Sequence, residues 1–339
     1  MHRSGTSATT RGLKVLGVDL GDRLFSPMEN NNEKGFWEDI EINSLNDEML
    51  HALGRAWHYL NPIQSDDIEV LHKNGYFLRA KALLCQKIND TPIFGFKDPR
   101  VSKLLPFWQE VFSQCQLDVS YVWAIRNTLS VAESLAKRDG FDKTKSYLLW
   151  LGNIIVILAG TAGEKTILID YDRLMQSPAF ELKRIAKQFN LKIDPMEMGN
   201  YITEFLDKKL QHNVYDMNDL LLDKFCPPLV HEIYKELLEV ASDKKSIEDQ
   251  SLKKKFSIWT DEFKRLRSSL ALIDRISIKN NDYAFIEAKA KLNQTITELK
   301  QIITEKNNII RQIFSSTSWR ITAPLRFIKQ TIRNSSKKN

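Results

Sequence analysis

The chain has 339 residues, 42% of them apolar and 27% charged, enough to bury one substantial core and still carry an appendage. A net charge of +6 and a pI near 9.0 suit anionic partners such as a nucleotide, a sulfated glycan, nucleic acid or an acidic membrane surface, and charge does not choose among them. Three cysteines, Cys85, Cys115 and Cys226, lack metal-ligand or C-x-x-C spacing, so neither a zinc site nor a disulfide is expected.

In chain order, His2-Arg3-Ser4-Gly5-Thr6-Ser7 is a loop of small, hydroxylated and cationic residues, and Ala8 to Leu16 reads as the helix that follows. Gly35-Phe36-Trp37-Glu38-Asp39-Ile40-Glu41 carries an acidic helix start. Short β-branched or aromatic runs at Ile93–Lys97, Val119–Arg126 and Lys165–Tyr171 alternate with helical stretches at about 101–115, 128–160 and 179–190. That alternation predicts βαβ units and a parallel sheet. The most apolar run, Tyr147 to Gly160, is short for a bilayer and is interrupted by Asn153, so a buried helix is expected. The N-terminus does not read as a signal peptide, and a cytoplasmic protein is expected.

From about Val214 onward strand signals vanish and long charged helical patterns follow, including Leu229 to Val240 and Leu252 to Ile273. Leu292, Ile296, Leu299, Ile303, Lys306, Ile310 and Ile313 then keep coiled-coil spacing. A hairpin partner, a dimer seam or the helix's own domain would bury that stripe. Ser315 to Asn339 carries Arg320, Arg326, Lys329, Arg333, Lys337 and Lys338 with no acidic residue, beside Trp319, Leu325, Phe327, Ile328 and Ile332. It reads either as a surface-lying segment at the inner face of an anionic membrane or as a solvated basic tail. The expected division is therefore 1–212 as an α/β domain, 213–280 as a helical extension, 281–314 as a coiled-coil helix and 315–339 as a basic amphipathic tail.

Two segments carry chemistry. Small residues at a helix N-terminus leave backbone N–H groups free to surround a phosphate, and Arg3 can grip an oxygen bidentately. A Walker A loop demands G-x-x-x-x-G-K-[ST], whereas Thr6 follows the glycine here, which disfavours ATP or GTP hydrolysis. Further on, Tyr121-Val122-Trp123-Ala124-Ile125-Arg126 reads as a buried strand ending in an arginine, Asn127 and Thr128 as a helix cap, and Ser134 lies about two turns along that helix. Arginine at the strand end and serine on the returning helix can hold one phosphate together.

The order cation, hydroxyl, glycine, hydroxyl, hydroxyl in Arg3-Ser4-Gly5-Thr6-Ser7 resembles the loop of sulfotransferases that binds the 5′-phosphosulfate of 3′-phosphoadenosine 5′-phosphosulfate (PAPS). The separation of Arg126 and Ser134 resembles that family's 3′-phosphate site. Phe94-Gly95-Phe96-Lys97-Asp98-Pro99-Arg100, and Ile169 to Leu174 with Ser177-Pro178, resemble strand-end segments of bacterial sulfotransferases. The resemblance covers about residues 1–212. It implies a three-layer P-loop-type α/β fold with a mostly parallel sheet, whose phosphate loop normally follows a hydrophobic strand, and no residues precede Met1 to form one. It also implies transfer of a sulfuryl group from PAPS to a hydroxyl or amine, with PAP as product and no metal.

Arg3 and the amides of Ser4, Gly5, Thr6 and Ser7 are then expected to hold the phosphosulfate, with His2 inside the loop, Lys97 as a second cation, and Arg126 and Ser134 on the 3′-phosphate. Relatives with a histidine base carry it in the segment matching Lys97 to Arg100, where this chain has none. Glutamate-using relatives point to Glu38 as the base, with Asp98 second; both also read as ordinary helix starts or caps, and His212 as a surface or structural histidine. The coiled coil followed by the Ser318 to Arg326 segment looks like tails on bacterial surface-polysaccharide enzymes, which suggests a glycan acceptor. No nucleic-acid partner is expected. Two other classes remain open: a P-loop nucleotide kinase, and a non-catalytic interaction protein carrying a degenerate transferase domain.

Overall fold

The computed structural model describes residues 1–28, 32–89, 91–207 and 214–315. Helices Thr6–Lys14 (α1), Ile40–Ala52 (α2), Ser65–Lys73 (α3), Tyr76–Ile88 (α4) and Val101–Gln114 (α5) precede the first strand, Ser120–Ile125 (β1). Thr128–Asp139 (α6) and Lys143–Gly160 (α7) lead to the second, Lys165–Asp170 (β2). Then come Tyr171–Gln176 (α8), Pro178–Phe189 (α9), Pro195–Asn200 (α10), a π-helical turn Tyr201–Phe205, Met217–Leu222 (α11), Pro228–Ala241 (α12) and Gln250–Ser315 (α13).

The chain is mainly helical, with a small parallel sheet in which β1 pairs with β2 from Ser120↔Lys165 to Ile125↔Asp170. Alternation along the strands explains how the sheet is covered: Trp123, Ile125 and Leu168 pack with α7, α12 and α13, while Ile167 and Ile169 join Leu16, Leu182 and Ile185. A separate apolar cluster is built by α2 to α5 around Trp108, Phe107 and Leu104, each fully buried.

Two expectations change in detail. The run Ile93–Lys97 makes only a single parallel bridge, Asp19↔Phe94, and is not a strand. The helical stretch 128–160 is two helices, because Gly140 ends α6 in the left-handed conformation (φ 69°) and the Asp142 side chain then caps α7 by accepting from the Lys145 amide.

The chain forms two units, Met1–Asp274 and Arg275–Asn339. Residues beyond 212 belong to the first unit's core, since Leu220, Val230, Ile233, Leu237, Trp259 and Phe263 pack with the face of the sheet that carries Trp123. Asp274, 7% exposed, closes this unit by accepting the amides of Leu60 (2.8 Å) and Asn61 (2.8 Å). In the second unit the stripe residues Ile296, Leu299 and Ile303 are exposed on their helix. Residues 316–339, and with them the basic tail, lie outside the described residues. No helix among the described residues is long and apolar enough to cross a membrane.

Candidate functional site

The opening loop turns sharply into α1. Gly5, the residue before that helix, has φ 77°, and Arg3 also lies in the left-handed region at φ 64°. A side chain at Gly5 would collide with Tyr171: an added Cβ would fall 2.2 Å from Cδ2 and 2.6 Å from Cγ of that ring. Glycine therefore satisfies the turn and lets the loop lie against Tyr171. α1 has no acidic residue in its first turn and no side-chain cap, so its partial positive end is left for an anion.

The second segment meets this loop directly. β1 ends at Ile125, Arg126 follows, and Asn127 caps α6 by accepting from the Leu129 amide at 2.9 Å. The same Asn127 side chain donates to the carbonyls of Tyr215 and Asp216, both at 2.9 Å, which fixes the start of α6 against the chain leading into α11. Arg3 Nε donates to Ser134 Oγ at 2.7 Å, and Arg126 Nη1 donates to the Arg3 carbonyl at 3.5 Å. The Arg126 guanidinium stacks over the Tyr171 ring, 4.7 Å from its centroid. Residues 3, 126, 134 and 171 thus form one cluster at the carboxyl end of the strands, where open α/β sheets bind ligands.

That cluster lines a cleft of about 840 Å³. Its cations are Arg3, Lys34, Lys97, Arg100, Arg126, Lys137 and Arg138, set against Glu33, Glu38 and Asp207. Burial, and then the charges of Arg138 and Arg126, pull the Arg3 guanidinium below its ordinary pKa. Mutual repulsion of this kind is relieved by a bound polyanion.

At the other end of the loop, Lys97 Nζ donates to Glu38 Oε1 (2.6 Å), to the Phe36 carbonyl (2.6 Å) and to Ser7 Oγ (3.4 Å). Ser7 Oγ in turn donates to the Phe36 carbonyl at 3.0 Å, and Asn43 Nδ2 donates to Glu38 Oε2 at 2.7 Å. Burial pushes the Lys97 ammonium down and the Glu38 carboxyl up, each opposed by the other's charge. A buried lysine and carboxylate in contact, both facing the cleft, form a pair that can neutralise charge and exchange a proton.

The two other carboxylates are held in the fold. Asp39 caps α2 by accepting from the amides of Glu41 and Ile42 and also pairs with Lys87 at 2.8 Å. Asp98 accepts from Asn46 Nδ2 (2.9 Å), the Arg100 amide (2.9 Å) and Arg100 Nη1 (3.1 Å), and Asn46 is itself fixed by Trp108 Nε1 at 2.8 Å. Of the two candidate bases, Glu38 faces the cleft, while Asp98 lines a separate cavity beside β1.

His2 packs against Trp57 with ring centroids 4.2 Å apart, and burial followed by the Arg138 charge drops its pKa well below the ordinary histidine value. His212 lies outside the described residues. Among the described residues no group of three His, Cys, Asp or Glu side chains converges as metal ligands. Sequence reasoning missed Tyr171 and Arg138 as site residues. Arg138 had a readable signal, since it follows Ser134 by four positions and shares its helix face, whereas the seat of Tyr171 under Gly5 is a tertiary contact with none. The chain matches no protein-family model, no curated protein sequence and no solved structure.

Proposed function

We propose that the chain is a PAPS-dependent sulfotransferase whose first unit is a P-loop-type, three-layer α/β domain. The observation that carries this reading is the convergence of two anion-binding segments, 123 residues apart between Arg3 and Arg126, through the Arg3–Ser134 and Arg126–Arg3 hydrogen bonds. The donor set suits a nucleotide with phosphate at one end and phosphosulfate at the other: guanidinium groups, a serine hydroxyl, the open N-terminus of α1 and a lysine.

PAPS supplies the sulfuryl group. Arg126 and Ser134 hold the 3′-phosphate, and Arg3 with the amides of Ser4 to Ser7 holds the phosphosulfate. Lys97 neutralises charge developing on the bridging oxygen, and Glu38 takes the acceptor's proton, its carboxyl poised by burial and steadied through Oε2 by Asn43. His2 packs the loop against Trp57. A glycan is the proposed acceptor, α13 the proposed seam for a second copy, and the basic tail the proposed contact with a membrane surface. No lysine follows Gly5, so the loop lacks the group a nucleotide kinase needs at that place.

The test is calorimetric titration with PAP. Binding is expected, with a loss of about tenfold or more in Arg126→Ala, equivalent to about 1.4 kcal/mol. Absence of PAP binding to the full chain would overturn the reading, and transfer of labelled sulfate from PAPS onto bacterial glycans would identify the acceptor.

A further inference from the structure

One cation of the cleft, Arg138, has no part in the nucleotide reading given so far. Ser134 and Arg138 are four positions apart on α6, so both side chains rise from one helix face with Cβ atoms about 5–6 Å apart. Ser134 Oγ accepts from Arg3 Nε at 2.7 Å, which leaves its own hydroxyl proton to donate. Arg138 Nε donates to Asp139 Oδ2 at 2.8 Å, and the guanidinium lies over the Trp57 ring, 5.3 Å from its centroid. These two contacts hold the guanidinium plane, on a side chain that is only 25% exposed. Its Nη1 and Nη2 bond to no protein atom among the described residues, and the residue lines the cleft. After burial, the Arg138 charge is the strongest influence lowering the Arg3 guanidinium, ahead of that of Arg126, so three guanidinium groups crowd one end of the cleft.

We propose that Arg138 is a third ligand of the 3′-phosphate and makes the site prefer an adenosine 3′,5′-bisphosphate to a nucleotide with a single phosphate. The assignment rests on the nucleotide reading, which gives that phosphate only Arg126 and Ser134. A phosphate monoester carries about −1.5 to −2 charge near neutral pH and presents three acceptor oxygens. A guanidinium fork meets two of them with parallel N–H bonds, and the Ser134 hydroxyl, about one helical turn earlier, meets the third. Arg126, directly after β1, adds a further positive charge. Because the Trp57 face and Asp139 already fix the fork, binding costs little of the rotamer freedom that a long side chain otherwise loses. A nucleotide without the 3′-phosphate keeps its contacts with Arg3 and the first turn of α1 and gains nothing from Arg138.

The test is calorimetric titration of the full chain with PAP and, separately, with adenosine 5′-monophosphate (AMP), which lacks the 3′-phosphate. Arg138→Ala is expected to weaken PAP binding about tenfold or more and to leave AMP binding within about twofold, so the PAP-to-AMP affinity ratio falls. Arg138→Lys keeps the stem and the charge, and serves where the alanine version fails to fold. It is expected to lower the same ratio by a smaller factor, about threefold or more, since an ammonium cannot supply two parallel bonds. A merely structural role would weaken both nucleotides together, and a ratio unchanged in either folded variant overturns the assignment. That result, with PAP still bound by the unaltered chain, leaves the nucleotide reading intact, whereas absence of PAP binding to the unaltered chain overturns both.

Discussion

Replacing Gly5 by alanine tests how the opening loop is held. The new Cβ would stand 2.2, 2.6 and 2.8 Å from three carbons of Tyr171, against about 3.5–4.0 Å for carbons in ordinary contact. The loop or the ring must therefore move by about an ångström. Left-handed backbone at an L-residue costs about 1–2 kcal/mol. Overpacking typically adds about 1–3 kcal/mol. The expected loss in urea denaturation is then about 2–5 kcal/mol. Gly17→Ala is the control, because Gly17 has φ +75° with nothing within 4 Å of the added carbon, so backbone strain acts alone. Because Arg126 stacks on the same Tyr171 ring at 4.7 Å, Gly5→Ala should also weaken PAP binding, whereas Gly17→Ala should not. Tyr171→Ala in the Gly5→Ala background should recover part of the lost stability, read as a double-mutant coupling. Equal stability of the two alanine variants would refute the close packing of loop and ring.

Lys97→Met, which keeps the stem and removes the charge, is expected to lower the sulfuryl-transfer rate about 10²–10³-fold, with a much smaller effect on PAP affinity. A matching loss of affinity would instead place Lys97 in ground-state binding. Stability should also fall as pH drops below the ordinary histidine range, because the unfolded chain protonates His2 there while the folded imidazole, held down by burial and then by the Arg138 charge, stays neutral. Asp170, raised to about 6 by burial, contributes stability of the opposite sign that is lost as pH rises. His2→Gln should flatten the acid side of the profile in urea denaturation, and an unchanged profile would refute the assignment. The sulfurs of Cys85 and Cys115 stand 3.9 Å apart, and a thiol oxidant such as diamide should join them reversibly, with Cys226 left as a thiol in mass mapping.

The sequence made the sheet and the loop readable because both are local patterns. Apolar runs at Val119–Arg126 and Lys165–Tyr171 became β1 and β2, and Arg3-Ser4-Gly5 became the turn into α1, which starts at Thr6, two residues before the helix start read at Ala8. The stretch 128–160 looked like one helix since apolar residues continue on both sides of Gly140, although the glycine and the following Asp142 are a stop and a start signal. No local pattern could assign the helices beyond residue 212, because an amphipathic stripe shows that a helix is covered without showing by what. At the site, the composition of the loop exposed Arg3, and the strand end exposed Arg126, yet the bonds of Arg3 to Ser134 and of Arg126 to the Arg3 carbonyl are contacts across 131 and 123 residues. The resemblance put Glu38 first and Asp98 second, and their partners give that order a physical content: Lys97 and Asn43 in the cleft for one, Asn46 and Arg100 within the fold for the other.

The carboxylate of Asp274 clamps the main chain at Leu60 and Asn61, three and four positions after Trp57, the ring on which His2 rests. Removing the long helix upstream of that aspartate would release an anchor more than two hundred positions away in sequence and slacken the first turn of the protein. The part of α13 that ends at Asp274 therefore acts as a brace for the beginning of the chain, and cutting the polypeptide before that residue changes how firmly the anion-binding end is held.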